Sequence, residues 1–269
     1  MLRAGVSTAC LYPRLLEESV YDLAVNGIDH IEIFVNTHSE LEKKYINGIA
    51  ETLRRFEVTC RSLHPFTCPM ESMLFFSGYE RRTRDALEYY KRYFDVMNTL
   101  GAEIFVFHGN KNIQKLTPEK YCESYVRLVE LGRKFGIKVA QENVSRCQSG
   151  TLEFMSSMVK ILGDDAHFVL DTKQAVRAGE NSFNIVRTLK DHVIHVHISD
   201  HGENGDCLQI GKGRFNVKQL INVLSEESPD CSVMLELYRN GFDGISDLTE
   251  NYSTLCSMIE SISSKEEKV

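Results

Sequence analysis

Residues 192–201 read HVIHVHISDH, a run in which histidines are set among Val and Ile. It holds four of the nine histidines of the chain. Its length and β-branched content are typical of a buried strand, and its alternation places His195 and His197 on one face, with Val196 and Ile198 on the other. The run therefore predicts a core strand whose polar face ends at His197, and the fold must supply partners for that face.

Seven further runs have strand length and are rich in Val, Ile and Phe. With 193–199, the predicted strands are 2–8, 30–35, 58–64, 103–109, 138–143, 167–172 and 233–238. Amphipathic helical patterns separate them, and this alternation favours a parallel sheet. Eight units of about 34 residues each favour a closed (β/α)8 TIM barrel of the α/β class. An open doubly wound sheet would need a Gly-rich phosphate loop after its first strand, and VSTACLYP (6–13) is not one.

The chain shows no linker, so we expect one domain over residues 1–269, ending in a frayed tail from about residue 264. Several helix boundaries carry local signals. Ser39 and Glu42 fit a capping box, and Thr117 precedes a proline at a first helical position. Glycines that could end a helix with positive φ stand between helical runs and strands, at Gly27, Gly101, Gly136 and Gly163.

Composition excludes some classes of function. The net charge is −7 and no long Lys/Arg run occurs, whereas a protein that holds a nucleic-acid backbone usually shows a basic face. The eight cysteines form no C-x-x-C pair, the first residues lack the apolar stretch of a signal peptide, and no run approaches a membrane span of about 18 apolar residues. We therefore expect a cytoplasmic protein with reduced thiols and neither a membrane nor a nucleic-acid partner.

Polar side chains end six consecutive predicted strands, where the active site of a TIM barrel lies. They are His64, His108, Glu142, Asp171, His197 and Glu236. Taken singly, a strand histidine can be a hydrogen-bonded core residue and an aspartate can cap the next helix. A converging set is costly to bury without a cation, so we predict a divalent metal site. Mixed nitrogen and oxygen ligands suit Mn²⁺, Zn²⁺, Co²⁺ or Fe²⁺; the carboxylates favour Mn²⁺, and Mg²⁺ is not excluded.

Motifs at successive strand ends resemble those of the xylose isomerase-like TIM-barrel superfamily over nearly the whole chain. In order they are SLHP, FHGN, QENV, LDTKQA, VHISD, IGKG and LELY. That superfamily holds sugar and sugar-phosphate isomerases and epimerases and, more distantly, the endonuclease IV family. The resemblance implies a metal-dependent isomerase or epimerase with one divalent ion bound by Glu142, Asp171, His197 and Glu236. It also implies that the two glutamates, on opposite faces of a small sugar or sugar phosphate, exchange a proton beside its carbonyl.

The chemistry of such a reaction also explains why a metal and two carboxylates would be needed together. A proton next to a carbonyl is hard to remove unless the developing enediolate is stabilised, which a cation does as a Lewis acid. Epimerisation then needs a base on one face and an acid on the other. His64, His108 and Gln174 are the predicted substrate contacts, although Gln174 replaces a histidine found in many sugar epimerases. Their arginine soon after the VHI strand has no match at Glu203.

Other functions remain open. An endonuclease IV-type phosphodiesterase holds three zinc ions; His64 and His108 match two of the extra ligands, but Gln174, Gly205 and Cys207 occupy the remaining positions. A metal-dependent dehydratase or lyase would use the same enediolate, and a non-catalytic barrel would keep only the fold. The sequence leaves open the sugar, a homo-oligomer, and the roles of Lys212 and Cys207. Glu32 is expected either to support the site or to touch substrate.

Overall fold

The computed structural model describes residues 1–266, and the side chains of residues 1–262. Within this range eight parallel strands close into a barrel. The barrel strands are β1 (Arg3–Ser7), β2 (His30–Phe34), β3 (Thr59–His64), β4 (Ile104–Phe107), β5 (Lys138–Glu142), β6 (Phe168–Asp171), β7 (Val193–Ile198) and β10 (Ser232–Leu235). Each pairs with the next barrel strand along the chain, and β10 closes on β1. The predicted (β/α)8 TIM barrel is confirmed.

Helices follow the strands around the outside. They are α1 (Leu16–Val25), α2 (Lys43–Arg55), α3 (Glu71–Phe76), α4 (Glu80–Leu100), α5 (Pro118–Lys134), α6 (Leu152–Leu162), α7 (Thr172–Ala178), α8 (Ser182–Leu189), α9 (Val217–Glu227) and α10 (Ile245–Glu266). The short helices α3 and α7 were not predicted. Residues 264–266 of the expected tail belong to α10, and residues 267–269 lie outside the described range. None of the helices within residues 1–266 combines the length and apolar character needed to span a bilayer.

The local boundary signals have mixed outcomes. Thr117 caps α5 through its side chain, which accepts from the Lys120 N–H. All four glycines adopt positive φ, as Gly101 does at 74° where it ends α4. The capping box at Ser39 is wrong. Residues 38–41 form a 3₁₀ turn that buries Leu41, and α2 begins only after Glu42, which makes no side-chain cap.

A hairpin that the sequence did not predict follows β7 on the mouth side. Its strands are β8 (Asp200–Gly202) and β9 (Gly205–Leu208), paired antiparallel. Asp200 holds the next loop, because its carboxylate accepts from the backbone N–H groups of Gly211, Gly213 and Phe215 at 2.9–3.0 Å. The IGKG segment is therefore tied down beside the mouth of the barrel.

Two faces of each barrel strand pack against different surroundings. On β4, Phe105 and Phe107 face outward and meet the rings of Tyr90 and Tyr125, with centroids 5.6 and 5.5 Å apart. The inward side chains of β4 to β6 form a separate apolar cluster inside the barrel. This cluster, called here the apolar half, consists of Ile104, Val106, Ala140 and Val169.

The other side of the barrel interior is polar. Its buried, hydrogen-bonded side chains, called here the polar half, are Ser7, Glu32, Ser62, His195 and Ser232. Close packing on this side depends on Gly5 of β1, where a Cβ would lie 2.2 Å from Met234 Sδ and 2.7 Å from the His30 carbonyl oxygen. Both halves support the groups at the mouth.

A candidate metal centre at the mouth of the barrel

The four predicted metal ligands come together at the carboxyl ends of the strands. Glu142 ends β5, Asp171 ends β6, His197 lies one residue from the end of β7, and Glu236 follows β10. His197 Nδ1 lies 3.7 Å from Glu142 Oε1 and 3.5 Å from Glu236 Oε2. Ligand atoms of Glu142, Asp171 and His197 all lie within 4.8 Å of one another. The strand-end pattern in the sequence thus becomes one cluster, and the metal-binding role of its members stays a prediction.

Three atoms of this cluster are buried without a hydrogen-bond partner among the described residues. They are Glu142 Oε2, Asp171 Oδ2 and His197 Nδ1. Two of them have a close cation or imidazole, but in poor alignment: Lys173 Nζ is 3.1 Å from Asp171 Oδ2, and His108 Nε2 is 2.7 Å from Glu142 Oε2. Because unpaired buried polar atoms are costly, this donor set of carboxylates and one imidazole fits a divalent cation.

Glu32 orients His197 from below. Its Oε2 lies 3.1 Å from His197 Nε2, 3.0 Å from His195 Nε2 and 2.8 Å from Ser62 Oγ. Burial opposes the charge on Glu32, yet the two imidazoles outweigh it and hold its pKa well below the ordinary value. A carboxylate only accepts, so His197 Nε2 carries a proton and Nδ1 is the atom aimed at the mouth. The sequence left Glu32 between support and substrate contact, and the structure shows support.

His195 extends this support one step further. Its Nδ1 lies 2.6 Å from Ser232 Oγ, so both ring nitrogens have partners inside the polar half. His192 lies outside the barrel interior, where its Nδ1 faces the Ala166 carbonyl oxygen at 2.8 Å. Of the histidines in HVIHVHISDH, His197 alone has a nitrogen in the cluster of predicted ligands.

The charge state of the cluster follows from burial and neighbours. Burial disfavours a charged His197, but the Glu32 and Glu236 carboxylates hold its pKa well above the ordinary value. Burial likewise opposes ionisation of Glu142, yet the imidazole of His108 and its neighbours keeps the pKa of Glu142 well below the usual range. A metal bound at His197 Nδ1 would therefore replace a proton, and metal binding would release it.

His64 and His108 flank Glu142. Their Nε2 atoms are 2.9 Å apart, and Phe34 stacks on His64 with ring centroids 4.6 Å apart. Burial lowers the pKa of His108, although Glu142 opposes that shift. The His108 backbone is fixed by buried Glu71 of α3, whose Oε2 accepts from the N–H groups of residues 108 and 109 at 2.8 and 2.7 Å. Substrate contact by the two histidines stays a prediction.

Gln174 and Asp171 share the first turn of α7. Asp171 Oδ1 accepts from the Gln174 N–H at 3.1 Å and so caps the helix, which leaves Oδ2 as the oxygen turned to the cluster. The Gln174 side-chain oxygen accepts from the N–H and Oγ of Ser145 at 3.1 and 2.9 Å. Its predicted contact with substrate must therefore come through its amide nitrogen.

Lys173 is the site residue that the sequence reasoning missed. Its buried Nζ lies 2.9 Å from Glu236 Oε2 and 3.1 Å from Asp171 Oδ2. Burial disfavours the charged amine, but these carboxylates hold its pKa well above the ordinary value. Burial raises the pKa of Asp171 to about 7 in spite of the lysine. The signal was present in LDTKQA, where a lysine follows the predicted ligand Asp171 by two positions.

The other weaker candidates have structural explanations. Cys207 Sγ lies 3.6 Å from the Glu236 carbonyl oxygen, and burial raises the pKa of the thiol, which argues against a nucleophilic thiolate. Lys212 is exposed on the loop that Asp200 holds. Neither side chain joins the cluster of predicted ligands.

Comparison with known proteins agrees with this architecture. The family model described as "Xylose isomerase-like TIM barrel" matches residues 20–261. A solved D-tagatose 3-epimerase-like protein aligns with a TM-score of 0.80 at 23% identity, over 98% of this chain and 99% of that one. A solved IOLI protein with a bound zinc atom aligns with a TM-score of 0.76 at 20% identity, over 98% of each chain. An uncharacterized protein of Methanocaldococcus jannaschii is 24% identical over 87% of this chain and 83% of its own.

Proposed function

Because the chain belongs to the xylose isomerase-like TIM barrel family, we propose that it is a divalent-metal-dependent isomerase or epimerase of a small sugar or sugar phosphate. One observation carries the proposal. The carboxylates of Glu142 and Glu236, from opposite ends of a four-strand arc, approach the same nitrogen, His197 Nδ1, at 3.7 and 3.5 Å. Two carboxylates at one metal-ligand set could supply the base and the acid for proton transfer beside a carbonyl.

The metal would be held by Glu142, Asp171, His197 and Glu236. Their oxygen-rich ligand set favours Mn²⁺, with Zn²⁺, Co²⁺ or Mg²⁺ as alternatives. The solved relative with a bound zinc atom supports a bound metal ion in this chain as well. When bound, the ion would act as a Lewis acid that stabilises negative charge developing on the substrate oxygens.

The acid and base roles fall to Glu142 and Glu236. The Glu236 side chain is 14% exposed and Glu142 only 3%, so a substrate entering from the mouth meets Glu236 first. One glutamate, ionised, removes the proton beside the carbonyl, and the other, carrying a proton in the substrate complex, donates it to the opposite face. His64 and His108, beside Glu142, would bind substrate hydroxyl groups, and Gln174 would donate its amide N–H. Similarity to sugar 3-epimerases such as the D-tagatose 3-epimerase-like protein supports this substrate class.

A second candidate is a phosphodiesterase with more than one metal, because His64, His108 and Glu142 bring a further set of ligand atoms together. Gln174 and Cys207 still stand at positions where the three-zinc enzymes have metal ligands. The net charge of −7 also disfavours a nucleic-acid substrate, so we retain a small sugar-like molecule as the partner.

Two measurements test the proposal. Metal analysis after dialysis should give about one ion per chain, as a single ligand set of this kind holds. Two or three ions per chain would favour the phosphodiesterase instead.

Incubation with a panel of ketoses and ketose phosphates plus Mn²⁺ should give an epimer or isomer on chromatography. Glu236→Gln should abolish that product, whereas Glu226→Gln, the same charge change on the exposed face of α9, should not. A dehydrated or cleaved product would identify a lyase, and no product from any sugar would contradict the assignment.

A further inference from the structure

Lys173 lies where the ligand oxygens meet. Its Nζ contacts Asp171 Oδ2 and Glu236 Oε2 at 3.1 and 2.9 Å. These are the oxygens left for a metal, since Asp171 Oδ1 already caps α7 and Glu236 Oε2 is the atom 3.5 Å from His197 Nδ1. The ammonium therefore contacts the same two oxygens that the expected ion would bind.

The two cations would compete for these contacts. A divalent ion binds carboxylate oxygens at about 2.0–2.2 Å, which would place it within a few ångströms of an ammonium that touches the same oxygens. At that separation in a buried site, like charges repel strongly. This repulsion favours movement of the ammonium away from these oxygens when the ion binds.

The structure offers Lys173 another place. Its Nζ already lies 5.0 Å from the centroid of the Tyr238 ring, at the edge of the site, and Tyr238 is 45% exposed. An aromatic face attracts an ammonium, and the four-carbon lysine stem is flexible. Arg177, one turn further along α7, contacts the same ring but is committed to Asp206 through two nitrogens. It is therefore held away from the ligand carboxylates.

We propose that Lys173 is a built-in counter-cation of the metal centre, which pairs Asp171 and Glu236 in the metal-free protein and moves towards Tyr238 when a divalent ion binds. Lys173 then sets the affinity for the metal and keeps the buried carboxylates compensated without it. This inference rests on the metal centre of the proposed function, but not on the reaction.

The first test compares Mn²⁺ affinity by titration calorimetry at mildly alkaline pH, where the carboxyl groups are ionised. Lys173→Met should bind Mn²⁺ about tenfold or more tightly than the wild type, a gain of about 1.4 kcal/mol. Lys218→Met, the same substitution on the exposed face of α9, should leave the affinity unchanged. Equal or weaker binding in Lys173→Met would overturn the inference while leaving the metal centre standing. No Mn²⁺ binding by either protein would overturn the centre itself.

A second test uses the wild-type chain and so does not depend on how a variant folds. Lysine acylation followed by peptide mass spectrometry should label Lys173 slowly in chelator-treated protein and faster once Mn²⁺ is saturating, because the ammonium has moved towards solvent. Lys218 should label at one rate in both samples. A Lys173 rate that Mn²⁺ does not raise would show that the ammonium stays in place and would overturn the inference.

Discussion

The apolar half and the polar half of the barrel interior support the same mouth in different ways. Below Glu142 and Asp171, two residues back along their strands, lie Ala140 and Val169 of the apolar half. Below His197, at the same spacing, lies His195 of the polar half, bonded to Glu32 and Ser232. One half places hydrocarbon beneath its predicted ligands, and the other holds its predicted ligand by hydrogen bonds.

The difference shows that separate parts of one barrel can set the ionisation of Asp171 and the orientation of His197. Asp171 lies two residues beyond Val169 of the apolar half, and burial raises the pKa of that carboxyl to about 7. On the polar side, Glu32 fixes which nitrogen of His197 faces the mouth. Oxygen ligands need less orientation, because a carboxylate offers several lone pairs, whereas an imidazole offers only one at each nitrogen. A strand-end histidine thus needs an ordered partner beneath it.

The largest predicted effect comes from breaking the polar half. Glu32→Leu leaves two imidazoles and two hydroxyls without their acceptor, and removing one partner of a buried pair costs about 3–5 kcal/mol. Urea unfolding should show a loss of that size in the free energy of unfolding. Glu32→Gln keeps the shape, but we expect metal affinity to fall about 10–100-fold because the orientation of His197 is lost. Unchanged metal affinity in Glu32→Gln would contradict the role given to the polar half.

A mild change in the apolar half should separate stability from metal binding. Ile104→Val removes one methylene from the buried cluster and should cost about 0.5–1.5 kcal/mol. Since no hydrogen bond from this cluster orients a ligand, calorimetric Mn²⁺ affinity should match that of the wild type. An affinity loss as large as that of Glu32→Gln would show that the two halves do not differ as described.

A third predicted effect concerns acid stability at the end of the barrel opposite the mouth. Burial lowers the pKa of His167, at the start of β6, from 6.5 to about 4. The folded protein thus binds this proton less readily than the unfolded chain. The resulting stability is present above pH 6.5 and is lost as pH falls from 6.5 towards 4. In unfolding measured across that window, His167→Asn should lose less stability than the wild type; superimposable pH profiles would contradict this account.

Much of the fold could be read from the sequence because it depends on short-range patterns. Strand length, helical periodicity and glycines such as Gly101 predict the alternation of elements, and eight such units leave few alternatives to a barrel. The strand-end residues Glu142, Asp171 and His197 followed from the same reasoning, since parallel strands deliver their carboxyl ends to one mouth. The capping box at Ser39 failed because burial of Leu41 favoured a 3₁₀ turn.

Lys173 could not be placed in this way. Its approach to Glu236 spans 63 positions of sequence and depends on where α7 begins, which the Asp171 cap decides. A long side chain on a first helical turn can point to solvent or back to the mouth, and no local pattern distinguishes the two. The link between Glu32 and His197, 165 positions apart, is equally invisible until the barrel closes.

The proposed function depends on transfer of a proton beside a carbonyl by Glu142 and Glu236. The most direct measurement is incubation of the Mn²⁺-treated protein with a ketose and keto-acid panel in D₂O, followed by NMR or mass spectrometry of the recovered substrate. We predict deuterium at the carbon next to the carbonyl, lost in both Glu142→Gln and Glu236→Gln and retained in Glu226→Gln. Exchange that survives in both site variants, or product formed without deuterium, would contradict the claim.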